Sequence, residues 1–203
     1  MNVVSIFPTP VASCYLDREF LPAEHEAISD YEETLNKNEG NYTSVANHIL
    51  DTDKRFAQLK TFIEAKIEEY WDTTISPNTT IDPYITQSWL NYSYTGDYHH
   101  VHRHPNSYLS GVFYFKTIQE DSIVFHKSVF DPIFCISSNK PNKYNSNVNI
   151  FPVQEKMLIL FPSDTVHSVD PIKEENACRI SLAFNTFFKG EIGNKDSLNE
   201  LIL

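Results

Sequence analysis

The first third of the chain has the hydrophobic spacing of amphipathic helices. In residues 53–71, apolar side chains recur at steps of three and four, with charged residues between them. Residues 21–35 carry a weaker stripe of the same kind. Asp53 stands where the N-cap of the second segment is expected. The sequence therefore predicts two helices within a helical part that spans about residues 17–75.

The pattern changes after about residue 82, where short segments rich in aromatic and β-branched residues alternate with clusters of turn-forming residues. Such segments are typical of strands in an all-β fold. Eight of them stand out, at residues 86–94, 107–116, 121–126, 132–137, 148–152, 156–161, 166–169 and 177–187. We therefore predict a mainly β fold with flanking helices: a double-stranded β-helix (jelly roll) core over about residues 82–190, buttressed by the N-terminal helices.

Length and composition fit one domain over residues 1–203. A chain of 203 residues with 41% hydrophobic and 13% aromatic residues can bury a substantial core. No internal repeat and no linker-like segment divides the sequence. The presence of only five glycines, without a Gly-rich phosphate-binding motif, argues against a nucleotide-binding loop.

Charge and cysteine content limit the expected partners and compartment. A formal net charge of −11 makes nucleic-acid binding improbable, because such binding needs a basic surface. Cys14, Cys135 and Cys178 are widely separated, which favours free thiols in a reducing compartment. No apolar stretch is long enough to cross a membrane, and Pro8 and Pro10 interrupt the N-terminal apolar run. We expect no nucleic-acid or membrane partner and a cytoplasmic location.

The stretch DYHHVHRHPNSYLSG, residues 97–111, carries four of the eight histidines within six positions. In an extended chain alternate side chains share a face, so His100, His102 and His104 are expected to point one way. Two imidazoles can coordinate one metal ion, but a mononuclear site needs a third ligand from elsewhere in the chain. His167, which follows an apolar strand and a Pro-Ser-Asp turn, is the candidate. A histidine-rich surface loop and a hydrogen-bonded core histidine are the alternatives.

An arginine stands in the last long predicted strand, ACRISLAFN, residues 177–185. Alternation places Arg179 and Ser181 on one face and apolar side chains on the other. If the apolar face packs on the helices, Arg179 points into the barrel. A buried guanidinium without an anion is costly, and no acidic residue stands at an obvious pairing position. A bound carboxylate ligand would satisfy it, whereas the alternative is an edge-strand arginine that faces solvent.

Three motifs taken together resemble the 2-oxoglutarate and Fe(II)-dependent oxygenase superfamily. They are HRHPNSYLSGVFYF, LFPSDTVHSVDP and RISLAFN, and the resemblance covers roughly residues 84–188. It is closest to a 2OG-Fe(II) oxygenase branch that occurs in cyanobacterial phages. A phage-encoded member would act in the host cytoplasm.

The resemblance implies a metal site. Carried over by motif, His102, His104 and His167 would bind Fe(II). The superfamily usually offers two histidines and one carboxylate, and His104 occupies the carboxylate position here. Three neutral imidazoles compensate less of the charge on iron, which should favour an anionic co-substrate. His100 remains an alternative ligand in place of His104.

The resemblance also implies a co-substrate site. Arg179, with Ser181 beside it, would hold the distal carboxylate of 2-oxoglutarate. Tyr114 stands where prolyl-hydroxylase-like members place a tyrosine that hydrogen-bonds the co-substrate, and Tyr92 occupies a similar position on the preceding strand. Packing in the core or at the rim is the alternative role for both tyrosines.

The implied activity is that of a hydroxylase. Such an enzyme uses Fe(II), 2-oxoglutarate and O2 to hydroxylate a C–H bond, and it decarboxylates 2-oxoglutarate to succinate. A peptide with a prolyl residue is the first expectation for the substrate, and a small molecule is the second. The segment 127–147 is expected to be a lid or a substrate-selecting loop.

Two other functions remain open from the sequence. The spacing of residues in GDYHHVHRH and PSDTVH also resembles the metal-binding motifs of cupins. A cupin-type dioxygenase or isomerase would need no 2-oxoglutarate, and Arg179 would then have no role in co-substrate binding. The glutamate that cupins carry after the H-x-H pair is absent, as is the glycine before His167. The third possibility is a non-catalytic binding module with a degenerate iron site, which the unusual His104 suggests.

Overall fold

The computed structural model describes residues 1–127 and 139–203. The predicted strand at 132–137, Cys135 and the middle of the predicted loop 127–147 lie outside these residues. Every structural statement below refers to the described part of the chain.

Both predicted helices are present in the structure, but two short strands, Leu35–Lys37 and Tyr42–Ser44, lie between them within the predicted helical part. The described helices are α1 (Pro22–Glu32), α2 (Ile49–Thr52), a 3-10 turn (Lys54–Phe56) and α3 (Ala57–Thr74). Asp53 caps the 3-10 turn, since its side chain accepts a hydrogen bond from the backbone N–H of Arg55. The apolar stripe of α3 is buried, as its spacing predicts. The helices therefore cover one face of the sheet that follows.

Seven of the eight predicted strand segments coincide with strands of the structure. The described strands are β1 (Ala12–Tyr15), β2 (Leu35–Lys37), β3 (Tyr42–Ser44), β4 (Ile81–Tyr94), β5 (His99–His102), β6 (Leu109–Lys116), β7 (Ser122–His126), β8 (Val148–Pro152), β9 (Met157–Pro162), β10 (His167–Val169), β11 (Cys178–Ile192) and β12 (Leu201–Ile202). The short strands β1, β2, β3, β5 and β12 are additions to the prediction.

The strands form two antiparallel sheets, as expected for a jelly roll. The larger sheet has the order β1-β9-β6-β11-β4-β3-β2, with β12 paired to β11. The smaller sheet has the order β5-β10-β7-β8. One apolar cluster fills the space between the larger sheet and the helices, and a second cluster joins β6, β7 and β9 between the two sheets. The fold is thus a double-stranded β-helix with helices on one outer face.

Strand β11 shows the alternation that the sequence predicts. Ile180, Leu182 and Phe184 lie in the cluster that contacts the helices. Arg179 and Ser181 lie on the opposite face and line a pocket inside the barrel. The two faces of this strand therefore serve the core and the pocket separately.

Gly111 has a packing role in β6. It pairs in register with Phe184 of β11, and a Cβ atom built on Gly111 would lie 2.2 Å from the Phe184 ring. A side chain at this position would therefore collide with a core ring, which explains the glycine within a strand.

Within the two described ranges, no helix combines the length and the apolar character needed to cross a membrane.

Candidate metal centre

Three imidazoles converge where β5 and β10 pair. His102 and His167 are partners in register on these two strands, and His104 follows β5 by two residues. One ring nitrogen of each lies within 4.8 Å of the other two. Imidazoles this close can hold a single ion with metal–nitrogen bonds of roughly 2.0–2.1 Å after small ring adjustments.

Backbone carbonyls orient two of these rings. Nδ1 of His102 lies 2.7 Å from the carbonyl oxygen of His100, and Nδ1 of His167 lies 2.9 Å from the carbonyl oxygen of Thr165. A carbonyl can only accept, so each Nδ1 carries the proton and donates it. Each Nε2 then keeps a free lone pair, which is the form that a metal ion needs.

The environment keeps these imidazoles neutral. Burial, followed by the neighbouring His102, lowers the pKa of His167 to about 3 and the pKa of His104 to about 4. Burial also lowers the pKa of His102. Neutral imidazole is the ligand form of histidine, so the metal-free site is ready to bind near neutral pH without losing protons.

A fourth histidine enters the site because β5 is bulged. His167 pairs with His102, while Val169 pairs with His99, so three steps on β5 oppose two steps on β10. The extra residue turns His99 toward the pocket, where its ring stacks on His102 with centroids 4.3 Å apart. Simple alternation predicted the opposite face for His99, and sequence reasoning missed it because no local signal marks the bulge.

His100 is outside the cluster that the structure brings together. Its Nδ1 lies 3.9 Å from a carboxylate oxygen of Glu39, and it does not line the pocket that contains the other histidines. The ring of His100 lies beside that of His102, with centroids 5.0 Å apart, but it is not one of the three histidines whose ring nitrogens lie within 4.8 Å of one another. The geometry does not favour His100 as a substitute for His104.

His104 sits in the loop between β5 and β6. Its backbone N–H donates to the carbonyl oxygen of Ser163 at 2.9 Å. Its ring lies beside Trp89, with centroids 6.1 Å apart, and is stacked on His167 at 5.2 Å. The position of this side chain thus depends on the β9–β10 turn, which also precedes His167.

Arg179 is buried in the same pocket, and its charge has a partner. Its Nε lies 3.2 Å from Oδ2 of Asp121, and only 5% and 2% of the two side chains are exposed. No acidic residue stands at an obvious pairing position in the sequence because Asp121 is remote along the chain and precedes β7, yet the fold brings the two residues together. The contact is a charge pair without hydrogen-bond geometry, and Nε has no hydrogen-bond partner among the described residues.

Tyr114 lies beside this arginine and lacks a partner for its hydroxyl. The guanidinium carbon of Arg179 is 5.2 Å from the centroid of the Tyr114 ring. The hydroxyl is fully buried and makes no hydrogen bond within the described residues. Burial raises the pKa of Tyr114 to about 12, against the lowering effect of Arg179, so the hydroxyl is a donor at neutral pH. A buried donor without a partner is costly, and a ligand carboxylate would satisfy it.

The polar wall of the pocket extends from β11 to β4. Ser181 and Arg179 pair in register with Asn91 and Ser93, and all four line the pocket. Tyr92 lies between the last two and faces the other way. The pocket thus combines four imidazoles, of which three converge, with a guanidinium and hydroxyl groups, which fits a metal ion with a carboxylate ligand.

Tyr92 corrects a prediction, because it is not part of the pocket. It is fully buried in the helix-side core, and its hydroxyl donates to the carbonyl oxygen of Ile28 in α1 at 2.6 Å. Burial raises its pKa. Its place on the apolar face of β4 follows from the alternation of that strand, and it excludes contact with a ligand held by Arg179.

Comparison with known proteins agrees with this geometry. The profile of the family described as "Putative 2OG-Fe(II) oxygenase" matches residues 87–185. No protein with a curated description matches the chain. A prolyl-4-hydroxylase from Pseudomonas putida is similar in structure, with a TM-score of 0.56, 13% identity, and coverage of 89% of this chain and 92% of that one.

Two further solved structures extend the comparison. A prolyl hydroxylase from Trichoplax adhaerens, in complex with a hypoxia inducible factor oxygen degradation domain peptide fragment, has a TM-score of 0.59 and 14% identity, and the match covers 87% of this chain and 83% of that one. HygX from Streptomyces hygroscopicus, with nickel and 2-oxoglutarate bound, has a TM-score of 0.55 and 10% identity, with coverage of 88% and 82%. At such identities, these likenesses establish the fold alone.

The family match spans the strands that carry the histidines and Arg179, and the fold agrees with it independently. The donor set of the pocket suits the iron and the 2-oxoacid that this family uses. Residues 87–185 thus match a 2-oxoglutarate and Fe(II)-dependent oxygenase family, and the fold of the described residues is similar to that of solved oxygenases, so an oxidoreductase that uses iron and 2-oxoglutarate is the activity that this match supports.

Proposed function

We propose that this enzyme is a hydroxylase in which His102, His104 and His167 bind Fe(II), and in which Arg179 and Tyr114 bind 2-oxoglutarate. The observation that carries the proposal is the convergence of three neutral imidazoles in a pocket that also holds an unsatisfied buried hydroxyl. When bound, iron and 2-oxoglutarate supply O2 activation for hydroxylation of a C–H bond, with decarboxylation of 2-oxoglutarate to succinate.

The protein contributes orientation to the metal. The carbonyl oxygens of His100 and Thr165 hold the Nδ1 protons of two ligands, so that their Nε2 atoms point to the ion. A set of three protein ligands leaves coordination positions for the co-substrate and O2. Because these ligands carry no charge, the ion keeps its full positive charge, which favours an anionic 2-oxoacid.

For the co-substrate, Arg179 and Tyr114 are proposed to hold the distal carboxylate, with Ser181 beside them. The hydroxyl of Tyr114 donates one hydrogen bond, and the guanidinium supplies charge and further donors. A cupin-type metal enzyme would have no need of these two buried groups in the metal pocket. Their presence therefore favours the use of 2-oxoglutarate at this site.

For the prime substrate, we propose a peptide with a prolyl residue, and a small molecule as the second candidate. Two of the structures similar in fold are prolyl hydroxylases. Trp89 and His99 line the pocket next to the metal ligands, and their aromatic faces suit the apolar ring of proline. HygX, also solved with hygromycin B bound, motivates the small-molecule candidate.

Anaerobic spectroscopy tests the proposed ligand set. Fe(II) is added to the protein, 2-oxoglutarate follows, and the visible charge-transfer band of the chelate is measured. The band should appear for the native protein and be lost in Arg179→Ala. The matched control is Arg103→Ala, which removes an exposed arginine beside the same histidines and should keep the band.

Two results would contradict the proposal. Metal binding that is indifferent to 2-oxoglutarate would point to a cupin-like site, and the absence of metal binding would point to an inert module. The substrate class is tested separately by succinate formation from 2-oxoglutarate. Stimulation by prolyl peptides, and none by the same peptides with alanine in place of proline, is the expected result.

A further inference from the structure

A chain of buried hydroxyl groups lies behind the metal pocket and is not used by the proposed chemistry. The hydroxyl of Ser110 on β6 lies 2.9 Å from Oδ1 of Asn185 on β11 and 2.8 Å from the hydroxyl of Ser163, and its single proton serves one of these two contacts. Ser163 in turn donates to the hydroxyl of Ser107 at 2.7 Å. Four side chains from three segments, namely residues 107–110, the β9–β10 turn and β11, thus lie within hydrogen-bond distance of a neighbour. We call them the serine–asparagine network.

The centre of the network is enclosed by protein, whereas Ser107 is partly exposed. Ser110 and Ser163 are each 1% exposed, and Asn185 is 8% exposed. Polar groups buried this deeply depend on one another, because water cannot replace a lost partner. Removal of one hydroxyl leaves its neighbours unsatisfied, so the segments that they join would shift to recover hydrogen bonds.

Two members of the network, Ser163 and Ser107, are tied to backbone atoms on either side of the loop that carries His104. The carbonyl oxygen of Ser163 accepts the backbone N–H of His104 at 2.9 Å, while the N–H of Ser163 donates to the carbonyl oxygen of Tyr108 at 3.1 Å. Ser107, three residues after His104, donates to the carbonyl oxygen of Thr186 at 3.1 Å. The loop that carries His104 is therefore held through Ser163 and Ser107.

His104 needs this support more than the other two ligands do. His102 and His167 are paired with each other in a strand ladder, whereas His104 lies beyond the end of β5. The contact with Ser163 joins His104 to the turn that leads directly into His167. The spacing between these two ligands is thus set by the β9–β10 turn and by the hydroxyl groups that fix it.

We propose that Ser107, Ser110, Ser163 and Asn185 are positioning residues that hold His104 at the distance from His167 that metal binding requires. This inference rests on the proposed ligand set. It gives a role to three of the serines and one of the asparagines in the three sequence motifs, none of which is a proposed metal ligand.

Cobalt binding tests the proposal without reference to activity. Ser110→Ala removes the hydroxyl at the centre of the network, and Co(II) is titrated into the purified protein while its visible ligand-field spectrum is recorded. Loss of an outer-shell partner typically weakens metal binding by about 10- to 100-fold. We expect a weakening of at least about tenfold, together with a changed spectrum, because His104 is displaced.

Ser88→Ala is the matched control. Ser88 is a fully buried serine on β4, and its hydroxyl accepts the backbone N–H of Leu50 at 2.9 Å on the helix side of the sheet. Its removal costs a comparable buried hydrogen bond, but on the face of the sheet opposite the pocket. Both variants should unfold at lower denaturant concentration, but only Ser110→Ala should change the affinity and spectrum of Co(II).

A double-mutant cycle identifies His104 as the residue acted on. In a His104→Ala background, Ser110→Ala should weaken Co(II) binding little further, because the group that it positions is absent. If Ser110→Ala does not fold, Ser163→Ala carries the same expectation. If the native protein binds Co(II) and the Ser110→Ala variant binds it with the same affinity as Ser88→Ala, this inference is overturned and the proposed ligand set is not. A native protein that binds no Co(II) would overturn the proposed ligand set, and this inference with it.

Discussion

Asp121 and Arg179 form a buried charge pair, with Oδ2 and Nε 3.2 Å apart and almost no exposed side-chain surface. Burial raises the pKa of Asp121, and the charge of Arg179 opposes that rise. Asp121 also accepts the backbone N–H of Ser122 at 2.8 Å, so its position is fixed by the turn before β7. The carboxylate of Asp121 therefore balances the positive charge of Arg179 whenever no carboxylate ligand is bound.

Asp121→Asn is expected to destabilise the ligand-free protein and to increase its response to 2-oxoglutarate. Removal of one partner of a buried pair costs roughly 3–5 kcal/mol, because the other charge stays buried without compensation. A bound carboxylate restores that compensation. Thermal unfolding with and without 2-oxoglutarate and Co(II) should therefore show a larger ligand-induced increase in Tm for the variant than for the native protein.

The control for this prediction is Asp51→Asn, which breaks an exposed pair with Lys60. Exposed pairs contribute about 0–1 kcal/mol, so that variant should be close to native in Tm and in its response to 2-oxoglutarate. An Asp121→Asn variant as stable as the native protein would show that the pair does not compensate Arg179.

Tyr114→Phe should separate stability from co-substrate binding. The variant removes a buried hydroxyl that has no hydrogen-bond partner, so the free energy of unfolding of the ligand-free protein should stay the same or rise by about 1 kcal/mol. The affinity for 2-oxoglutarate should fall about tenfold, which corresponds to one hydrogen bond to a charged group. Urea unfolding and titration of the Fe(II) chelate measure the two effects.

Tyr92→Phe gives the reverse pattern and serves as the matched control. Its hydroxyl donates to the carbonyl oxygen of Ile28, which would lose its buried partner. The variant should lose about 1 kcal/mol of stability and bind 2-oxoglutarate as the native protein does. Equal effects of the two substitutions on 2-oxoglutarate affinity would contradict the assignment of Tyr114.

Acid is expected to destabilise the metal-free protein through His167. Burial lowers its folded-state pKa from 6.5 to about 3, so the unfolded state binds a proton that the folded state does not. Its contribution is complete above about pH 6.5 and is lost as the pH falls toward 3, with a slope of about 1.4 kcal/mol per pH unit. Urea unfolding at about pH 7 and about pH 5.5 measures the loss.

His167→Gln should flatten this pH dependence, because glutamine does not titrate. Other buried histidines contribute to the same slope, so the variant should retain part of it. An unchanged slope would mean that His167 is protonated to the same extent in the folded and unfolded states.

His104→Asp is expected to change both the affinity of the site for 2-oxoglutarate and its choice of metal ion. It introduces the carboxylate that completes the two-histidine, one-carboxylate arrangement of many non-haem iron oxygenases. The added negative charge beside the ion should weaken 2-oxoglutarate binding several-fold and favour harder ions such as Mn(II). Titration of 2-oxoglutarate into the Fe(II) protein measures the effect, with the neutral His104→Gln as control. Tighter 2-oxoglutarate binding in His104→Asp would contradict the role given to the charge of the ion.

The fold and most of the pocket followed from alternation in the sequence. The placement of Arg179 and Ser181 inside the barrel was predicted correctly, because β11 is regular over those residues and its other face is apolar throughout. The motif positions of His102, His104 and His167 also converge in space as predicted. Long regular strands and complete motifs are therefore well determined by the sequence alone.

The sequence did not predict the irregular pairing of strands or the contacts between residues that are distant along the chain. The bulge that brings His99 into the site is decided by the pairing of β5 with β10, and alternation alone gave the wrong face. The partner of Arg179 is Asp121, which lies on a distant part of the chain and meets Arg179 only in the folded structure. Tyr92 was assigned to the pocket by its distance from His102 in sequence, although the alternation of β4 places it in the core.

The pairing of β4 with β11 runs from Ile81 to Tyr94 and from Gly190 back to Cys178. Along this ladder, one row of side chains packs against the helices, and the adjacent row lines the pocket. Among the pocket-lining positions of β11, Arg179 and Ser181 carry polar groups, and Arg179 also belongs to a buried charge pair. Ala183 is the remaining pocket-lining position of this strand and carries no polar group, so a change of ligand preference is expected to be easiest there.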